Sequence, residues 1–265
     1  MTNPAISIQL WTVREELAAD LEGTLVRLKD IGFSKVEAFG FVDRADELAA
    51  ALERHGITTP TAHASLASAV ENPFDSSIVA PTIDEVFVAA RRLGISTVID
   101  PFVAPDRWQS REEIEKTAAS LNSAAASAAS HGITVGYHNH NHEFTTIDGR
   151  FGLEILADLL DPAVVLELDL YWASAAGAEI VPLLDRLGER VIAVHVKDGT
   201  LDPTPTIGAV PTDQVPAGSG VVDLTAALDH ATSLQYAIVE FDDYDGDIWQ
   251  GITAGYEFLT ARGLV

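Results

Sequence analysis

Four times in the first half of the chain, an amphipathic stretch ends in basic residues or histidine, then glycine, and an apolar residue then opens a β-branched run. These places are "RLKDIG", "LERHGI", "RRLGI" and "ASHGI". Glycine adopts the left-handed backbone that closes a helix, and the apolar residue after it starts the next strand. Repeated helix, glycine, strand units imply a parallel sheet with helices packed outside it. Eight strand candidates can be counted: "AISIQL" (5–10), "KVEAF" (35–39), "TTPTAH" (58–63), "STVID" (96–100), "ITVGYH" (133–138), "VVLELD" (164–169), "VIAVHV" (191–196) and "YAIVEF" (236–241). Helical patterns fall at 15–31, 43–55, 82–93, 110–131, 151–160, 177–188, 223–231 and 247–262, with Thr82 and Asp223 placed to cap two of them. An open doubly wound sheet normally carries a glycine-rich phosphate turn after its first strand, and "QLWTVREE" has none. The expected fold is therefore α/β, a single (β/α)8 TIM barrel over residues 1–265. The Pro- and Gly-rich segment 200–221 reads as a long loop after the seventh strand.

Composition narrows the function. A hydrophobic share of 47% is enough for a large core. A net charge of −24 disfavours nucleic acid and anionic membranes as partners, since both are held by basic patches. There is no cysteine, which excludes disulfides, thiolate metal sites and cysteine nucleophiles. The N-terminus "MTNPAISIQL" shows no signal-peptide pattern, and no apolar run is long enough to cross a bilayer, so a cytoplasmic protein is expected.

In a barrel of this kind the reaction takes place at the C-terminal ends of the strands. There the chain places Gln9 and Trp11, Glu37, His63, Asp100, then His138 and His140 followed by His142 and Glu143, Asp169, His195 with Lys197, and Glu240 with Asp242. Alternation along a strand puts His138 with His140, His195 with Lys197, and Glu240 with Asp242 on shared faces. Glu167 shares parity with Asp169, one layer deeper. His142 is expected in solvent, and Asp100, before Pro101, as a turn organiser. Burying so many carboxylates is costly unless a cation compensates. Carboxylates with imidazole suit Mn²⁺ first, and also Mg²⁺, Co²⁺ or Zn²⁺.

The segments "IQLWTVRE", "GYHNHNHEF", "LELDLYWASAAG", "RVIAVHVKDG", "VPAGSGVVDL" and "AIVEFDDYDGD" run nearly end to end. With them the chain resembles the xylose-isomerase-like barrel superfamily, in the sugar phosphate isomerase/epimerase branch. The resemblance implies one divalent metal held by Glu143, Asp169, His195 and Glu240. The first position departs from relatives that carry a glutamate within strand five. His138 stands there in "YHNH", so either Glu143 reaches back or His138 or His140 ligates instead.

The activity implied is isomerisation or epimerisation of a ketose or keto sugar, by proton transfer through a metal-stabilised enediolate. Glu143 and Glu240 would exchange protons, and His138 or His140 would act as a further acid–base. Lys197, His63, Glu37, Trp11 and Trp172 are candidates for contact with a carbohydrate substrate. The bland readings are a salt bridge from Lys197 to Asp198 or Glu240, packing for the tryptophans, and a polar network around the ligands for the histidines. The same site would serve a lyase or dehydratase acting on a keto sugar, an inosose or a 3-keto-glycoside. A barrel that cleaves abasic DNA needs three zinc ions and a basic groove, against the charge. A catalytically silent barrel serving as a subunit or binding module is the reading from another class. Relatives often form dimers or tetramers, so a homo-oligomer is possible.

Overall fold

Eight strands hydrogen-bond side by side, all parallel, in the order β1-β8-β7-β6-β5-β4-β3-β2. They are β1 (Ala5–Ile8), β2 (Lys35–Phe39), β3 (Thr58–His63), β4 (Thr97–Asp100), β5 (Thr134–His138), β6 (Val165–Asp169), β7 (Val191–Val196) and β8 (Tyr236–Val239). A single parallel bridge between Gln9 and Glu37 joins β1 to β2 and brings the sheet round into a nearly closed ring. The computed structural model describes residues 3–67, 80–201 and 210–265. Part of the loop expected over 200–221 therefore lies outside the described residues.

Helices stand between the strands: Leu21–Ile31, Ala45–His55, Ile83–Leu93, Arg111–Ala128, Gly152–Leu159, Ile180–Leu187, Leu224–His230 and Ile248–Ala261. The glycine stops lie where expected: Gly32, Gly56, Gly94 and Gly132 all have positive φ. Thr82 and Glu85 form a reciprocal capping box, and the Asp223 side chain accepts from Ala226 N. Strand parity divides the layers. Val194, Val196, Ala237 and Val239 join the large core between sheet and helices. The alternate residues Ala193 and Ile238 form a separate small cluster with Ile192.

Three local readings need correction. The helix expected over 15–31 is two, Arg14–Ala19 and Leu21–Ile31. Asp20 divides them, because its carboxylate accepts from Gly23 N and offers the backbone a cap instead of another helical turn. Strand one stops at Ile8, and Leu10–Val13 forms a 3-10 turn whose Trp11 N donates to Gln9 Oε1. A short helix, Leu170–Ala175, follows β6 directly, because Asp169 Oδ1 accepts from Trp172 N and caps it.

Beyond β7, Asp198–Gly199 pairs antiparallel with Gln214–Val215. The buried Asp198 carboxylate gathers this segment, accepting from the backbone N–H groups of Gly199, Gly218, Gly220 and Val222. Gly220 has to be glycine, since a Cβ there would meet Asp198 Oδ1 at 2.2 Å.

Candidate active site

The polar side chains at the strand ends form two tiers joined by His195. In the outer tier, Asp169 ends β6, Lys197 follows β7, and Glu240 and Asp242 follow β8. Lys197 Nζ lies 2.9 Å from Asp169 Oδ2, 2.8 Å from Glu240 Oε2 and 2.8 Å from Asp242 Oδ2. Its ion pairs thus include Glu240, as one bland reading had it, while Asp198 is engaged by backbone N–H groups. Gln214 secures Asp242 by donating to its carboxylate and accepting from its N–H. His195 Nδ1 faces this tier, 2.5 Å from Glu240 Oε2 and 3.8 Å from Asp169 Oδ2.

The inner tier lies beneath. His195 Nε2 faces Glu37 Oε1 at 2.9 Å and Glu167 Oε2 at 3.1 Å. His63 Nε2 sits between the same two carboxylates, 2.7 Å from Glu167 and 3.1 Å from Glu37. His138 Nδ1 is 3.1 Å from Glu167 Oε2, and Gln9 Nε2 donates to Glu37 Oε1 at 2.7 Å. Glu37 is fully buried and His63 nearly so, both inside this network rather than on an open wall.

Burial raises the cost of every charge here, and the balance of neighbours decides which charges survive. For Lys197, burial is outweighed by Asp169, Asp242 and Glu240, which hold the ammonium well above the usual lysine range. Burial is likewise outweighed at His63, where Glu37 and Glu167 push the ring up to about 10, and at His195, held well above its ordinary value by Glu167 and Glu240. Glu167 falls to about 2 despite burial and the nearby Glu37, because His195 and His63 favour its charge. Asp169 goes the other way: burial prevails over Lys197 and His195 and lifts it to about 6. His138 and His140 are neutral, driven well down by burial and then by His195 and by His142 respectively.

Asp169, His195 and Glu240 each offer one ligand atom, and these atoms lie within 4.8 Å of one another; the same holds for His63, His138, Glu167 and His195. Asp169 Oδ2 is buried beside the Lys197 ammonium and makes no regular hydrogen bond among the described residues. Oxygen and imidazole donors converging on such an atom fit a divalent cation. Glu143 belongs to neither group. Its carboxylate is fully buried and accepts from Tyr137 Oη at 2.7 Å and from His140 N at 3.0 Å, which ties the β5 loop to its strand.

The other candidates line the approach. His140 stacks on His142 and packs against Phe102 and Trp172, and its Nδ1 has no hydrogen-bond partner among the described residues. Trp172 is buried, its Nε1 likewise without a partner. Trp11 packs edge-on against Phe39, with the Arg14 guanidinium over its ring. His142, expected in solvent, is buried, with Nε2 hydrogen-bonded to Val103 O at 2.9 Å. Asp100 organises a turn as expected, accepting from Leu66, Ala67 and Phe102 N.

One contributor, Asn139, escaped the sequence reading, as did the role of another, Glu167. Asn139 exchanges hydrogen bonds with the Asp169 backbone and so braces β5 against β6; nothing in the sequence pattern marks it. Glu167 shows only its parity with Asp169, which places it on the right face without saying what it touches.

The family model described as xylose isomerase-like TIM barrel matches residues 25–261. Similar solved structures include a sugar phosphate isomerase/epimerase from Parabacteroides distasonis ATCC 8503, with TM-score 0.78 and 20% identity over 98% of this chain and 95% of that one. The probable 3-DHS dehydratase AsbF, involved in petrobactin synthesis, from Bacillus anthracis has TM-score 0.73 and 16% identity over 97% of this chain and 98% of that one. The IOLI protein with a bound zinc atom has TM-score 0.72 and 18% identity over 97% of each chain. At such identities these likenesses speak for the fold. No protein of curated function matches the chain by sequence. No helix among the described residues is long and apolar enough to cross a membrane. With its family model matched over nearly the whole length, the chain belongs to the xylose isomerase-like TIM barrels.

Proposed function

We propose that the protein is a divalent-metal-dependent isomerase or epimerase of a ketose or keto sugar. The observation that carries this reading is the convergence of Asp169, His195 and Glu240 at the ends of three successive strands, with ligand atoms within 4.8 Å. Asp169, His195 and Glu240 would hold a divalent ion, Mn²⁺ above all, and its Lewis acidity would make the proton beside a substrate carbonyl easier to remove. The chain's own groups do the rest. The Lys197 ammonium, fixed by three carboxylates, stabilises negative charge growing on a substrate oxygen. His140, kept neutral by burial, has a ring nitrogen able to take up a proton. Glu240, beside His195 and Lys197, exchanges a proton with the substrate. Trp172, packed against His140, forms part of the apolar wall on the sugar's side of the site.

A second reading, a lyase or dehydratase on a keto sugar, an inosose or a 3-keto-glycoside, is favoured by the same His140. A neutral imidazole that has taken up a proton can return it to a leaving hydroxyl, and elimination then competes with reprotonation of carbon. The test begins with metal analysis of the purified protein. Ketoses and keto glycosides are then screened with added Mn²⁺, and products are followed by mass and NMR. An isomer of unchanged mass supports the first reading, and loss of water or aglycone the second. A protein that binds no divalent ion and turns over none of these compounds refutes both, and leaves the barrel as a subunit or binding module.

A further inference from the structure

Glu167 has no part in the chemistry proposed above, yet its Oε2 lies at the centre of the barrel, facing three imidazole nitrogens. They are His63 Nε2 at 2.7 Å, His138 Nδ1 at 3.1 Å and His195 Nε2 at 3.1 Å. A carboxylate oxygen only accepts, so the nitrogens turned toward it carry the hydrogens. A neutral imidazole has one N–H. With that hydrogen at Nδ1, His138 presents a bare lone pair at Nε2.

The direction of that lone pair matters. His138 Nε2 lies 3.9 Å from Asp169 Oδ2, and His195 Nδ1 lies 3.8 Å from the same oxygen, so His138, grouped with His63, Glu167 and His195, borders the group of Asp169, His195 and Glu240. Asp169 Oδ2 is buried and makes no regular hydrogen bond. Two acceptors, an imidazole lone pair and a carboxylate oxygen, thus face each other inside the protein. Lys197 Nζ already supports Asp169 Oδ2 at 2.9 Å, and a cation shared between the two acceptors would serve both. The spacing suits two donors on one ion: bonds of about 2.1 Å to nitrogen and oxygen place neighbouring donors roughly 3–4 Å apart. Glu143, by contrast, has both oxygens committed, to Tyr137 Oη and to His140 N.

We propose that Glu167 sets the tautomer of His138, and that His138 Nε2, rather than the Glu143 carboxylate, is the fourth protein ligand of the cation held by Asp169, His195 and Glu240. This rests on the metal-dependent reading of the site. Glu167 is then a positioning residue, a carboxylate behind two metal-facing imidazoles that fixes their orientation and makes them better donors. The donor set becomes two nitrogens and two carboxylates. That shifts preference away from Mg²⁺ and toward Co²⁺ and Zn²⁺, relative to a site with one imidazole and three carboxylates.

Cobalt(II) bound to the full-length protein is the probe, read by proton NMR. An imidazole bound to Co²⁺ carries its remaining ring N–H far outside the normal spectral range, and that signal disappears in D2O. Two such exchangeable signals are expected. His138→Gln removes one, and Glu143→Gln keeps both with cobalt affinity within about threefold. Glu167→Gln, with unchanged circular dichroism, weakens cobalt binding by about 10–100-fold and speeds solvent exchange of both signals. A one-to-one cobalt complex with a single exchangeable signal overturns the inference and leaves metal dependence standing. A protein that binds no cobalt overturns both. Should Glu143→Gln fail to fold, the unmodified protein's spectrum still decides the number of bound imidazoles.

Discussion

Replacing Lys197 by methionine tests the electrostatics of the site without reference to any substrate. The ammonium is buried and contacts Asp169, Glu240 and Asp242 at 2.8–2.9 Å. Methionine keeps the length of the side chain and removes the charge, leaving three carboxylates to repel one another in a poorly solvated place. Removing one partner of a buried ion pair costs about 3–5 kcal/mol. For a chain of 265 residues, an unfolding entropy of about 2.1 cal/mol/K per residue makes each kcal/mol worth about 1.8 °C. In chelator at pH 8, the Lys197→Met midpoint should therefore lie about 5–9 °C below that of the unmodified protein. The deficit should shrink at pH 5, where Asp169, lifted to about 6, already holds a proton.

Added Mn²⁺ separates this account from a mere packing defect. In the unmodified protein a cation entering between Asp169 and Glu240 competes with the lysine; in the variant it does not. At one hundred times its dissociation constant the ion contributes about 2.7 kcal/mol, or roughly 5 °C on the same scale. Differential scanning calorimetry with EDTA and with Mn²⁺ gives all four midpoints. A loss under about 2 °C in EDTA, or a Mn²⁺-induced rise no larger in the variant than in the unmodified protein, refutes the reasoning.

Glu240→Gln should keep the circular dichroism spectrum and lower kcat on any substrate found by about 10²–10⁴-fold; unchanged turnover would remove Glu240 from the reaction. His63, raised from 6.5 to about 10, contributes stability that is complete below pH 6.5 and is lost as pH rises through 10. Denaturant titrations of chelated protein should then show stability declining over that window by at most about 5 kcal/mol, and His63→Gln should flatten the decline. Asp198→Asn leaves one oxygen to serve four backbone N–H groups, so it should cost about 2–3 kcal/mol and speed proteolysis between Gly199 and Val222. Thr82→Ala breaks the capping box far from the site and should cost about 1 kcal/mol with no change in metal binding.

The barrel was legible because its signals are local and repeated. Each helix stop is a glycine in a backbone conformation that other residues avoid, and each strand alternates between a helix-facing and an inward residue. The same alternation placed Asp169, His195 and Glu240 on one face at one end, which three successive parallel strands convert into a cluster. Contacts between distant strands were not legible. His63 meets Glu167 across the barrel rather than beside it, and nothing in either segment names the other. Nor does local sequence tell a loop residue that turns inward from one that turns out. "HNHEF" gave no sign that His142 and Glu143 are both buried, the first hydrogen-bonded to Val103 O, the second accepting from Tyr137 Oη. The break at Asp20 was missed for the opposite reason, since helical periodicity continues through a residue whose side chain competes for the backbone.

The charges at the centre of the barrel supply a reason for a divalent cation that does not depend on family. Glu37, Glu167, Asp169, Glu240 and Asp242 are linked through His63, His195 and Lys197 into one network of ion pairs. Five carboxylates against three cations leave two negative charges in a nearly closed ring of apolar strands. A protein without further cations has one way to relieve this, which is to hold a proton on the carboxylate with the least support. Asp169, for which burial outweighs Lys197 and His195, is that carboxylate, and its lift to about 6 is the relief. One divalent ion held by Asp169 and His195 would displace the second ring proton of His195, leave a single negative charge in the network and make the proton on Asp169 unnecessary. Asp169, the one of the three converging ligands whose balance ends toward the neutral form, is thus the one where added positive charge gains most. Loading with Mn²⁺ should accordingly release protons near pH 6, and calorimetry in buffers of different ionisation enthalpy would count them; a count of zero would contradict this charge balance.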